Sequence, residues 1–246
     1  GSLSPDGCLL ATTTMRLLWQ TSAGDLDYFE LTHSASSGQA QNDAVSNITA
    51  TSTTALVQDN SVNTFSIRVK DKAGNWSAPQ TVTAEVSIMP VVINEVAWAG
   101  TSGHPYDEWI ELYNRASKTI NLNNWILYSQ TDLKPYINLS GTVPAKGYYL
   151  IERTDDNTVS DIPADWKGSF GSSEGGGSGL NNSGEVLVLS YASTTIDQTI
   201  LGSNDRWPEG TEGRTMERYE PDLAGTFIFN WGTNNMLIRS GKTAGP

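Results

Sequence analysis

The stretch "VVINEVAWAGTSGHPYDEWIELYN", Val91 to Asn114, decides how this chain is read. Its second half alternates: Ile110 and Leu112 fall on one face of an extended segment, and Trp109, Glu111 and Tyr113 on the other. Its first half repeats the pattern, with Asn94, Val96 and Trp98 opposing Ile93, Glu95 and Ala97. Period-two alternation predicts two β-strands joined by the turn-rich "GTSGHPYD". Between them they carry four carboxylates, Glu95, Asp107, Glu108 and Glu111. A carboxylate inside a strand needs water or a partner. Arg115 and Arg153 are the candidate partners, and a structural role in ion pairs or on a solvated face is the first expectation.

Composition agrees with strands. Of 246 residues, 37% are hydrophobic and only 17% charged, with Ser, Thr, Asn and Gly abundant. That make-up suits short strands and many turns rather than helices. The length allows one to two domains with ample cores. Formal net charge is −12, with 15 basic against 27 acidic residues. A basic stripe for phosphate contact is missing, which disfavours nucleic acid as a partner. The chain has no apolar run long enough to cross a membrane as a helix. No signal peptide is visible, and the opening Gly-Ser says nothing about export. One cysteine, Cys8, rules out an internal disulfide framework and a multi-cysteine zinc site.

Upstream of Met89-Pro90 the strands recur at about ten-residue spacing. "LLWQ" precedes a Gly-Asp turn, "DYFELTH" alternates, and "VNTFSIRVKDKAGNWSAPQ" gives a strand (Phe65, Ile67, Val69) and a turn at Gly74-Asn75. These segments, over roughly residues 10–88, resemble a fibronectin type III or related Ig-like domain. Pro90 breaks the ladder pattern, so the expected domains are residues 1–89 and 90–246.

Beyond the boundary, "VINEVAW", "DEWIELYN", "INLNNWILY", "GTVPAKGYYLIER", "LNNSGEVLVL" and "TTIDQTI" follow in order. They are similar to a bacterial lamin tail domain, and "DRWPEGTEGRTMERYEPD" to "FNWGTNN" resembles the extension of bacterial members. Further strands are read at "EVLVLSY" and "TFIFNW", and Gly171 to Gly184 as a mobile loop. The expected fold is therefore all-β, two consecutive Ig-like β-sandwich domains. The resemblance implies protein or chromatin contacts, as in nuclear lamins, or a module of an exported protein. It transfers no activity.

Candidate chemistry is sparse. Glu95, Asp107, Glu108 and Glu111 are the possible calcium ligands, since calcium takes six to eight oxygens; an EF-hand spacing is missing. "GSSEG" (Gly171 to Gly175) has the Gly-x-Ser-x-Gly form but lacks the strand and helix that a nucleophile elbow needs. His104, beside Asp107, has no nearby second His or Cys, and His33 belongs to the first domain. Trp19, Trp98, Trp109 and Trp125 sit in strand patterns, whereas Trp76, Trp166 and Trp207 lie in turn-rich sequence. Trp166 and Trp207 are the candidates for a glycan-stacking platform. No catalytic residue, cofactor or transition metal is expected. The four Asn-x-Ser/Thr sequons, at Asn47, Asn75, Asn138 and Asn181, are unremarkable in so Asn-rich a chain.

The functional expectation is a non-enzymatic extracellular or cell-surface module that contacts protein or a cell-surface polymer and spaces other domains. Alternatives are a self-assembling subunit that exchanges the strand in Gly1 to Thr14, an accessory domain of a larger secreted enzyme, and a nucleic-acid contact.

Overall fold

The computed structural model describes residues 13–21, 24–36, 45–101, 104–159, 161–172, 175–177, 179–211 and 213–234. It divides into two compact units, Gly1–Met89 and Pro90–Pro246. Cys8 and nearly all of the segment read as an exchangeable strand lie outside the described residues.

The first unit contains β1 (Thr14–Leu18), β2 (Leu26–Ala35), β3 (Val45–Ile48), β4 (Ser52–Leu56), β5 (Ser61–Asp71) and β6 (Gln80–Val86). A four-stranded antiparallel sheet has the order β3-β2-β5-β6, and β1 pairs with β4. Leu17, Leu31, Val57, Phe65 and Val86 form the core. Glu30 and Arg68 are cross-strand neighbours and pair at 2.6 Å. The expected turn is held by Asp71, whose Oδ1 accepts the Asn75 N–H at 2.8 Å. Gly74, at φ +94°, supplies the left-handed residue there. The Arg68 guanidinium then lies 4.2 Å over the Trp76 ring. His33 is buried, stacks on Phe65 at 4.5 Å and contacts Asn63 Oδ1 at 2.8 Å. Those contacts account for this histidine structurally.

The second unit runs through β7 (Val91–Ala97), β8 (Trp109–Asn114), β9 (Ile120–Asn121), β10 (Trp125–Ser129), β11 (Tyr136–Asn138), β12 (Thr142–Val143) and β13 (Tyr148–Arg153). It continues with β14 (Trp166–Gly168), β15 (Gly171–Ser172), β16 (Gly175–Gly177), β17 (Leu187–Tyr191), β18 (Thr194–Gln198), β19 (Met216–Arg218) and β20 (Trp231–Thr233). The larger sheet has the order β14-β13-β8-β7-β19-β20 and the other β11-β10-β17-β18. Ile110 and Leu112 of one sheet, and Leu127 and Leu189 of the other, are fully buried, as a β-sandwich requires. Near the β7 bulge, the Ile93 N–H donates to Asp197 Oδ2 of β18 at 2.8 Å, tying the two sheets together.

Three expectations are corrected. First, β7 does not alternate strictly. Ile93 pairs with Leu112 and Glu95 with Glu111, so Asn94 is an extra residue in a bulge. The bulge returns Ile93 and Val96 to the face of Leu112 and Ile110, and leaves Glu95 and Ala97 on the other. Second, Gly171 to Gly184 is not a plain loop. It holds the β15–β16 pair, and Leu180 is buried; Ser173, Glu174 and Ser178 lie outside the described residues, and with them the centre of "GSSEG". Third, "TFIFNW" is not a strand. Ile228–Asn230 make a 3-10 turn, and only Trp231 begins β20.

Candidate functional site

The polar cleft of the second unit is built from four pieces of chain. Tyr106 and Glu108 come from the approach to β8, Arg153 from the end of β13, and Gly179 to Asn182 from the chain after β16. With Asp132 they line a space of about 450 Å³. Glu108 Oε1 lies 3.0 Å from Arg153 Nη1, and its Oε2 accepts the Leu180 N–H at 2.7 Å. The guanidinium sits 5.1 Å over the Tyr106 ring. Gly179 makes the approach possible: at φ +74°, a Cβ there would overlap the Arg153 guanidinium and stand 2.5 Å from Glu108 Oε2. Burial pushes the Glu108 carboxyl up to about 7, against the pull of the Leu180 N–H and of Arg153. Glu185 is also raised to about 7 by burial, although its Oε1 accepts the Asn181 N–H at 2.9 Å. Both Glu108 oxygens are engaged by protein donors, so the residue acts as a strut across the cleft. At the mouth, Asp107 accepts the Thr101 hydroxyl at 3.0 Å and faces His104 Nδ1 at 3.6 Å.

The other two carboxylates lie on the sheet. Glu111, Glu95 and Glu217 stand side by side across β8, β7 and β19. Neither expected arginine serves Glu95. Its Oε1 accepts the Thr215 hydroxyl at 2.5 Å and the Asn234 amide at 3.2 Å. Burial raises it to about 7, with Glu111 and Glu217 adding to the effect. Glu111 takes the Asn94 amide at 2.6 Å. Arg115 pairs with Asp222 at 2.8 Å, and Arg153 with Glu108. The structure thus divides Glu95 and Glu111 from Asp107 and Glu108. Among the described residues, no group of three or more His, Cys, Asp or Glu side chains is arranged to hold a metal ion.

The two tryptophans chosen for a platform have different surroundings. Trp207 is only 6% exposed, lies parallel to Trp98 at 6.1 Å and donates Nε1–H to the Asn181 carbonyl at 2.8 Å. It is a core residue, correcting the surface reading. Trp166 is half-buried on β14, its ring 6.2 Å from Phe170.

Residues 86–202 match the Lamin Tail Domain. No curated protein matches the chain. A crystal structure of a DUF4876 family protein from Bacteroides thetaiotaomicron aligns over 96% of this chain and 98% of its own, at 10% identity and a TM-score of 0.41. The lamin-tail match takes in the cleft and strands β7 to β18, whereas β19, β20 and the loop between them lie beyond it.

Sequence reasoning missed how that extension is fastened to the strands inside the match. Arg218 Nη2 donates to Asp197 Oδ2 at 2.5 Å, with both side chains buried. The same guanidinium lies 5.0 Å over Trp231. The available signal was Arg218 two residues after buried Met216, hence on its face of a strand. It also missed Gly179, whose role shows only once Arg153 and Glu108 are in place.

Proposed function

We propose that this chain is a non-enzymatic interaction and spacer module, placed outside the cell or on its surface, that contacts protein or a surface polymer. The observation that carries the reading is the lamin-tail match over a sandwich whose buried cleft carboxylate, Glu108, holds protein donors on both oxygens. The strand order β3-β2-β5-β6 with β1-β4 supports a fibronectin type III-like reading of the first unit. A net charge of −12 weighs against nucleic acid as the partner. The test is protease shaving of intact cells that make the protein. Loss of the protein while a cytosolic marker survives is the expected result, and protection equal to that marker overturns the surface placement. Turnover in a panel of chromogenic ester, glycoside and phosphodiester substrates, lost in Glu108→Gln, would overturn the non-enzymatic part.

A further inference from the structure

The extension beyond the lamin-tail match carries the most exposed aromatic side chain of the described residues. Phe229 is 80% exposed and Phe227 50%, with their rings 5.8 Å apart. Tyr219, Leu223 and Ile228 on the same loop are each more than a third exposed. Phe227 and Phe229 alone offer roughly 250 Å² of aromatic surface side by side, at about 200 Å² for a fully exposed large aromatic side chain.

The loop is not loose. Buried Asn230 donates its amide to the Glu220 carbonyl at 2.9 Å and the Leu223 carbonyl at 3.2 Å, and its Oδ1 accepts the Glu220 N–H at 2.8 Å. The Trp231 indole N–H donates to the Gly225 carbonyl at 2.7 Å, and Arg218 Nη1 to the Leu223 carbonyl at 3.1 Å. At Gly225 a Cβ would strike the Gln198 carbonyl, so the base of the loop fits closely against β18. Buried polar groups fix the backbone while the phenylalanines are turned outward. A partner would meet aromatic anchors already ordered, which lowers the entropic cost of docking.

We propose that this loop is a docking platform for a segment of another protein that carries apolar side chains flanked by Lys or Arg. The proposal rests on the interaction-module reading and assigns it a surface. Charge selects the occupant. Exposed Glu220 and Asp222 rim the patch, and residues 219–230 contain no Lys or Arg. Arg115 meets Asp222 through Nε and Nη2 and offsets its charge, so the acidic sign of the rim rests on Glu220 and on the −12 of the whole chain. A second copy would bring two acidic rims and two charges of −12 together, and an anionic bilayer would be repelled in the same way.

The test uses the whole chain and two synthetic probes, a peptide alternating Leu or Phe with Lys and its counterpart with Glu for Lys, read by fluorescence anisotropy. The basic peptide should bind, and the acidic one should not. Phe227→Ser/Phe229→Ser should weaken binding at least about tenfold, the effect of losing hot-spot anchors. Glu220→Lys and raised salt should weaken it several-fold. Both variants change exposed side chains, and an unchanged melting temperature confirms their fold. Failure of the basic peptide to bind at about 1 mM, or equal binding by the double-Ser variant, overturns the proposal. So does dimerisation or binding to phosphatidylcholine vesicles that the double-Ser change abolishes, since the occupant would then be a second copy or a bilayer. A negative result here, beside surface placement in the shaving experiment, would remove this platform and leave the module reading standing.

Discussion

Replacing Gly179 with alanine should unfold the second unit far more readily than its single methyl group suggests. The backbone there has φ +74°, and the left-handed region costs a residue with a Cβ about 1–2 kcal/mol. The methyl must also occupy space filled by the Arg153 guanidinium and the Glu108 carboxylate. Arg153 would be driven aside, stranding Glu108, whose side chain is only 4% exposed. Stripping one partner from a buried pair costs about 3–5 kcal/mol, and Arg153, being 14% exposed, places this case at the lower end. The expected loss is about 4 kcal/mol, or about 10 °C in melting temperature for a unit of this size. Urea denaturation at pH 8, above the Glu108 value of about 7, followed by tryptophan fluorescence measures it. The decisive comparison repeats Gly179→Ala in a Glu108→Gln/Arg153→Met background. There the ion pair is already gone, so only the backbone cost of about 1–2 kcal/mol should remain. A loss below about 1 kcal/mol in the native background, or an equal loss in both, would refute the argument.

Three further outcomes are expected. Glu95, Glu108 and Glu185 are each raised by burial to about 7 from an ordinary value of 4.5, so between those values the folded state holds protons that the unfolded chain has released. Their contribution is complete below pH 4.5 and lost as the pH rises through 7; the second unit's melting temperature should fall from pH 5 to pH 8, and a rise would contradict the assignment. Trp207→Ala should cost about 3–5 kcal/mol in urea unfolding, well above Trp166→Ala, because it empties the buried stack on Trp98; equal costs would return Trp207 to the surface class. Millimolar calcium should leave the melting temperature unchanged, since Glu95, Glu108 and Glu111 already hold protein donors; a rise of several degrees reversed by EDTA would reveal a calcium site.

What the sequence made legible was local, and what it concealed depended on pairs of distant segments. "DEWIELYN" could be read because a strand's two faces are set by its own period, and Trp109 to Asn114 follow it. The bulge at Asn94 could not, because it is a mismatch of register between β7 and β8, bridged by the Asn94 amide on Glu111. The same limit applied to the carboxylates' partners. Arg153 is a plausible neighbour for any acid nearby, but the close passage of Gly179 assigns it to Glu108. Turn-rich sequence around Trp207 suggested exposure, yet irregular backbone can be buried when its polar groups find partners, and Trp207 itself serves the Asn181 carbonyl.

"TFIFNW" and "SSEGGGSGLNNSG" erred in opposite directions for one reason. The first has strand-like alternation, but Asn230 turns its side chain back to Glu220 and Leu223 and closes a loop in place of a ladder. Its phenylalanines consequently face outward. The second has linker-like glycine, yet Gly179 serves close packing, and the N–H of Leu180 beside it binds Glu108. Glycine for freedom and glycine for tight approach look identical in sequence, as do an asparagine in a strand and one that ends it. In both cases a buried polar contact outside the pattern decides, within the loop for Asn230 and 72 residues away for Leu180 and Glu108. The places where pattern reading failed are therefore those where buried polar groups override periodicity, and they include both the cleft and the aromatic loop on which the functional proposals rest.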